Sequence, residues 1–117
     1  GDVSQLPAFL QSEEVGDWNY DWQHTVTVEA FDTVSAALSC LLRHDNQADL
    51  LQSCVALSGD TDSVAAIAVG IASCFTSYSK NLPEHLKQTL NEPQYGMAYL
   101  AELDKQLLAK VSSLVPT

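Results

Sequence analysis

Val64-Ala65-Ala66-Ile67-Ala68-Val69-Gly70-Ile71-Ala72 is the stretch on which the fold turns. It reads as a helix with no polar face, and a helix apolar all round is one surrounded by protein. Its alanines and Gly70 keep the profile thin, so neighbouring helices can approach closely. The run is far short of the roughly 20 apolar residues of a membrane span. A buried helix of this kind needs other helices about it, and the sequence on either side supplies candidates.

Upstream, the pattern turns helical from about Val26. Phe31, Val34, Ala37, Leu38, Leu41 and Leu42 recur at three and four, marking one buried face of a helix that ends near Arg43-His44. Those two basic residues complement the negative end of the helix dipole. Asp45-Asn46 suits an N-cap for the next helix, whose inward face is Leu50, Leu51, Cys54 and Val55. Ser58-Gly59 closes it, with Gly59 in the left-handed C-cap position. Downstream, Asn81-Leu82-Pro83-Glu84 breaks the pattern and starts a short helix with Pro83 in its first turn. Asn91-Glu92-Pro93 interrupts again. A last helix is expected from about Tyr95 to Leu114, with Leu100, Leu103, Leu107, Leu108, Val111 and Leu114 inward and Glu102 spaced to pair with Lys105. The expectation is an all-α fold: an orthogonal bundle of about five helices, forming part of a larger all-α domain.

Residues 1–25 are the least regular, and the chain divides into this aromatic-rich segment and a helical portion, 26–117. Leu6-Pro7-Ala8-Phe9-Leu10 fits a short helical turn. In Gly16-Asp17-Trp18-Asn19-Tyr20-Asp21-Trp22 aromatic and polar residues alternate, but the flanking Gly and Asp favour a loop pinned to the body by its aromatic rings. Stacking of those rings on a nucleobase or sugar is the competing reading.

Fifteen acidic residues stand against five basic ones, a net charge of −10. That argues against nucleic-acid or membrane partners, which reward a basic patch, and suits a cation instead. Cys40, Cys54 and Cys74 are odd in number, lack C-x-x-C spacing and sit among apolar residues. They are expected to be reduced and buried, as in a cytoplasmic protein. His24, His44 and His85 are too scattered for a zinc site. Gly1-Asp2-Val3-Ser4 has neither the basic nor the apolar region of a signal peptide.

Chemistry concentrates in Gly59-Asp60-Thr61-Asp62-Ser63, at the start of the apolar helix. Two carboxylates about 4 Å apart repel by roughly 4 kcal/mol at an effective dielectric near 20. A helix N-terminus offsets about 0.3–1 kcal/mol per acid, whereas a divalent cation removes the repulsion. All-oxygen ligands point to Mg²⁺, with Mn²⁺ or Ca²⁺ next. The bland alternative is that one Asp simply caps the helix. An EF-hand loop starting at Asp60 fails, having Ala65 at its sixth position and Ile71 at its twelfth. Asp60-Thr61-Asp62-Ser63-Val64 also fits the D-x-D-x-[TV] pattern of haloacid-dehalogenase-type phosphatases, but the strand–helix alternation that family needs is missing.

Leu57-Ser58-Gly59-Asp60-Thr61-Asp62-Ser63-Val64-Ala65-Ala66-Ile67-Ala68 resembles the C-terminal signature of the ADP-ribosylglycohydrolase family, G-G-D-T-D-[TS] followed by an Ala-rich helix. The helix pair from Val28 to Leu57, the Asn81–Leu86 segment and the closing helix extend the resemblance over about residues 26–110. It implies an all-α hydrolase with a two-metal Mg²⁺ or Mn²⁺ centre, acting on the glycosidic bond of ADP-ribose in ADP-ribosylated proteins or ADP-ribosyl small molecules. Carried over residue by residue, the metal ligands are Asp60, Asp62 and Ser63, with Ser63 standing where Thr is commoner. Ser58 replaces the first Gly, leaving the loop less free. The family's N-terminal Thr-Asp-Asp motif is missing, so the chain reads as the carrier of the C-terminal half of the site, inactive by itself. Exposed core surface would then favour homo-oligomers. The alternative is a non-catalytic helical interaction module that keeps the family's frame.

Overall fold

In the computed structural model, residues 1–90 and 92–115 are described. Asn91, in the break expected at Asn91-Glu92-Pro93, lies outside them, as do Pro116 and Thr117 of the expected 26–117 portion. Among the described residues six α-helices follow one another: α1 Leu6–Ser12, α2 Ala30–Arg43, α3 Gln47–Ala56, α4 Thr61–Ala72, α5 Glu84–Gln88 and α6 Met97–Leu114. A 3₁₀ turn, Val3–Gln5, precedes α1. No strand forms among the described residues, so the fold is all-α. The chain divides into two units, Gly1–Leu82 and Pro83–Thr117.

The first unit is built on α2, α3 and α4, each packed on the other two. Val64, Ala68 and Ala72 form a stripe at i, i+4 and i+8 along α4, all fully buried. They meet Ala36, Ala37, Cys40 and Leu41 of α2 and Leu50 and Cys54 of α3 in one core. Small side chains on α2 and α4 let the backbones come close, while Leu41 and Leu50 fill the remaining volume and contribute about 2–3 kcal/mol each. The opposite side of α4 carries the exposed Ala66 and Gly70. The helix is therefore buried along one stripe only, a correction to the expectation that protein surrounds it. Apolarity on every face shows what a helix tolerates, not how much of it this chain covers.

Two further expected faces narrow in the same way. On α2, Ala37, Leu38 and Leu41 are buried, but Phe31 at the helix start is 50% exposed. Serines fill the face in place of the larger residues: Ser35 and Ser39, four apart, have no exposed surface. On α3, Leu50 and Cys54 are buried but Val55 is 59% exposed. Helix α2 starts at Ala30, four residues later than its pattern suggested, because Val26 is held in extended form against Gly59.

The start of α3 is doubly capped. Asn46 accepts the N–H of Asp49 (2.9 Å) and Asn81 accepts that of Ala48 (2.9 Å), while the two asparagines bond each other (3.3 Å). This ties residues 79–81 beside 45–47, where Gln47 donates to the Ser79 carbonyl (2.9 Å) and Ser79 to that of Asp45 (2.8 Å). Tyr78, also buried, sends its hydroxyl to the Leu41 carbonyl (2.7 Å). Burial and the neighbouring Cys54, Asp45 and Cys40 push its pKa up to about 12, which keeps that donor protonated.

All three cysteines are free. Cys40 and Cys54 are buried side by side, and Ser53 donates to the Cys40 sulfur (3.6 Å). The hydrogen bond to Cys40 and burial together push the Cys54 thiol up. Cys74 departs from expectation: it follows the end of α4 and is exposed.

In the second unit, Pro83 is the N-cap of α5. The Glu92 carboxylate accepts the N–H groups of Gln94 (2.9 Å) and Tyr95, making a turn into α6. A side chain at Gly96, the N-cap of α6, would meet the Glu92 carbonyl, so the close approach there requires glycine. No residue of α6 is buried. Leu100, Leu103, Leu107, Leu108, Val111 and Leu114, expected inward, are all exposed, Leu108 and Leu114 at 69%. Periodicity marks the apolar stripe but does not supply its partner. Lys105 makes no ion pair with Glu102, which accepts instead from Gln106 (3.1 Å).

Candidate metal centre

The turn between α3 and α4 has an unusual backbone. Leu57 ends α3 in helical conformation, and Ser58 and Gly59 then follow with φ of +63° and +81°. The left-handed C-cap role expected of Gly59 thus falls first on Ser58, the position where the family signature has glycine. Gly59 is needed for a second reason, because a Cβ there would overlap the Val26 carbonyl oxygen. Asp60 follows at φ −77°, ψ 59°, the values of an inverse γ-turn, closed by Thr61 N–H donating to the Gly59 carbonyl (2.8 Å).

This turn is bracketed by main chain. Val26 donates its N–H to the Ser58 carbonyl (3.1 Å) and accepts the N–H of Asp60 on its own carbonyl (3.1 Å). Val26 is 2% exposed, so both bonds are shielded from competing water. The sequence offered no sign of this role, since a lone valine ahead of a helix reads as core.

Of the three residues singled out in the sequence, Asp60 and Ser63 are in contact. The Ser63 hydroxyl donates to Asp60 Oδ1 (3.1 Å), and the Asp62 carboxyl stands two residues along from Asp60 in the first turn of α4. Interaction with the neighbouring Asp60 carboxyl, helped by the amide N–H groups of Ser63 and of Asp62 itself, holds the Asp62 carboxyl below its ordinary value of 3.8. Asp62 is exposed, whereas Asp60 and Ser63 are half-buried. Asp60 occupies the N-cap position but makes no side-chain cap bond. The capping role, the bland explanation for an Asp here, therefore does not account for its carboxylate.

The donor set suits a hard divalent cation: two carboxylates and a hydroxyl, without sulfur or imidazole. Among the described residues no cluster of three or more His, Cys, Asp or Glu side chains forms.

The aromatic segment before α2 is pinned to the body. Trp22 is 8% exposed, its indole N–H donates to the His24 carbonyl (2.8 Å), and its ring lies 4.0 Å from that of His24. Trp18 stacks on Phe31 (centroids 5.3 Å apart), which occupies the ring that α2 leaves half open. Arg43, expected to serve the helix dipole, reaches the Trp22 carbonyl (2.7 Å) and Asp21 (3.4 Å).

An all-α chain with a paired-aspartate turn opening an Ala-rich helix defines a narrow class. The family model described as ADP-ribosylglycohydrolase matches residues 3–114. The chain belongs to the ADP-ribosylglycohydrolase family. The match begins well before residue 26, so the aromatic segment belongs to the family's pattern too. Neither the curated proteins nor the solved structures yield a match. The family's chemistry is hydrolysis of ADP-ribosylated substrates and is generally metal-dependent. Among the described residues no helix is long and apolar enough to cross a membrane.

Proposed function

We propose that this chain contributes to hydrolysis of the glycosidic bond of ADP-ribose, with Asp60, Asp62 and Ser63 as ligands of Mg²⁺ or Mn²⁺. The observation that carries this reading is the half-buried Asp60 carboxylate, which Ser63 holds by a hydrogen bond and which is free of the capping role that would otherwise explain it. Bound there, such an ion would orient ribose hydroxyls and an attacking water and stabilise developing charge. The chain's own part is positional. Val26 holds the backbone on both sides of Gly59, the γ-turn aims Asp60, and Ser63 steadies it.

Three oxygen donors leave most of an octahedral shell to other ligands. In this reading water fills most of that shell, so the chain alone binds the ion weakly, and the family's N-terminal Thr-Asp-Asp motif would supply the other protein ligands. The substrate is an ADP-ribosylated protein or an ADP-ribosyl small molecule. Three free cysteines suit a cytoplasmic setting.

The test is release of ADP-ribose from a modified protein by the complete enzyme with Mg²⁺ supplied. Asp62→Ala is expected to abolish turnover, and unchanged turnover would sink the reading. A non-catalytic helical module is the second reading, favoured by the apolar side chains exposed along α6. In either case those side chains favour association between copies.

A further inference from the structure

We propose that Ser39 is a positioning residue for the Asp60–Asp62 pair, acting through the chain from Asn19 to Val26. The proposal rests on the reading of those aspartates as cation ligands. Ser39 is fully buried on α2, and its hydroxyl ties the segment to that helix. It accepts the Trp22 N–H (2.8 Å) and shares its proton between the carbonyls of Ser35 (2.8 Å) and Asn19 (3.1 Å).

One turn earlier, the Ser35 hydroxyl accepts the Asn19 N–H (3.3 Å). One turn later, Arg43 donates to the Trp22 carbonyl (2.7 Å). The segment is thus fastened to α2 at successive turns, with Ser39 in the middle. Its far end is Val26, whose N–H and carbonyl bracket Ser58 and Asp60. A fixed path of main-chain and side-chain bonds therefore runs from the Ser39 hydroxyl to the backbone that aims the first aspartate.

Removing the hydroxyl leaves the buried Trp22 N–H without an acceptor, and the segment must shift to satisfy it. The apolar contacts of α2, α3 and α4 are untouched by that change. The carboxyl pair should lose its set geometry while the helices remain. Residues that orient metal ligands without touching the metal typically matter by about 10–100-fold in affinity.

The test is a Mn²⁺ titration of the full chain, followed by NMR line broadening at the Asp60 and Asp62 amides. Measurements are made at a temperature where circular dichroism shows each variant fully helical. Ser39→Ala is expected to weaken Mn²⁺ binding by about tenfold or more. Tyr78→Phe removes a different buried hydroxyl bond to α2, that to Leu41, and is expected to keep wild-type affinity. Wild-type affinity in Ser39→Ala overturns the proposal, as does an equal loss in both variants, which would make the role merely structural. Should Ser39→Ala fail to fold, Arg43→Gln at the exposed end of the same path takes its place, with the same two outcomes. A wild-type chain that shows no broadening at these amides overturns the ligand reading itself, and the proposal with it.

Discussion

At Ser58 the backbone takes a left-handed turn that a side chain resists, and at Gly59 it takes another where a side chain has no room. The two positions should answer substitution in opposite directions. Ser58→Gly relieves a conformation that costs an L-residue about 1–2 kcal/mol, less the entropy glycine loses on folding, so a net gain of about 1 kcal/mol is expected. Gly59→Ala drives a methyl group into the Val26 carbonyl and should cost about 3 kcal/mol or more. Urea denaturation of the two variants checks both signs. At this scale the proposed ligands could be named from the sequence, because Asp60, Asp62 and Ser63 lie within four residues of one another. The residues that hold them could not be. Val26 acts through its main chain, which carries no residue-type signal, and Ser35 and Ser39 act through hydroxyls whose partners lie 16 and 17 residues away in the chain, beyond any local pattern.

Helix α3 shows how an element can be fixed from outside itself. Its first turn is capped by Asn46, as the sequence suggested, and by Asn81 from beyond α4, which no local pattern could reveal. Asn46→Ala removes the acceptor for Asp49 N–H and one partner of Asn81. It is expected to lower stability by about 1 kcal/mol or somewhat more, read as a shift in thermal midpoint. The helices themselves were legible because apolar spacing of three and four survives wherever a helix forms. What spacing could not give was the partner of each face. Cys54 and Val55 are neighbours on one expected face, and only Cys54 finds α2 and α4 against it. The same limit explains α6, whose stripe is regular from Leu100 to Leu114 and buried nowhere.

For the molecule as a whole, two terms oppose each other. A net charge of −10 on 117 residues keeps copies apart, while the exposed leucines of α6 draw them together. The repulsion fades as pH falls toward the isoelectric point near 4.3, and it is screened by salt. Light scattering is therefore expected to show association that strengthens with added salt and with acidification from pH 7 toward 5. A monomer across that range at high concentration would count against the apolar face as an association surface. The all-α class was legible at this scale, since helical periodicity runs through most of the chain without a competing strand pattern. The bracket at Val26 bears on the order in which the molecule is assembled. Val26 stands before α2, and the turn it holds stands after α3, so the bracket closes a loop containing both helices. Helices form from local contacts, but closing such a loop costs chain entropy that only docked helices can repay. The bracketed form of the turn is thus expected to set late in folding, after both helices have docked.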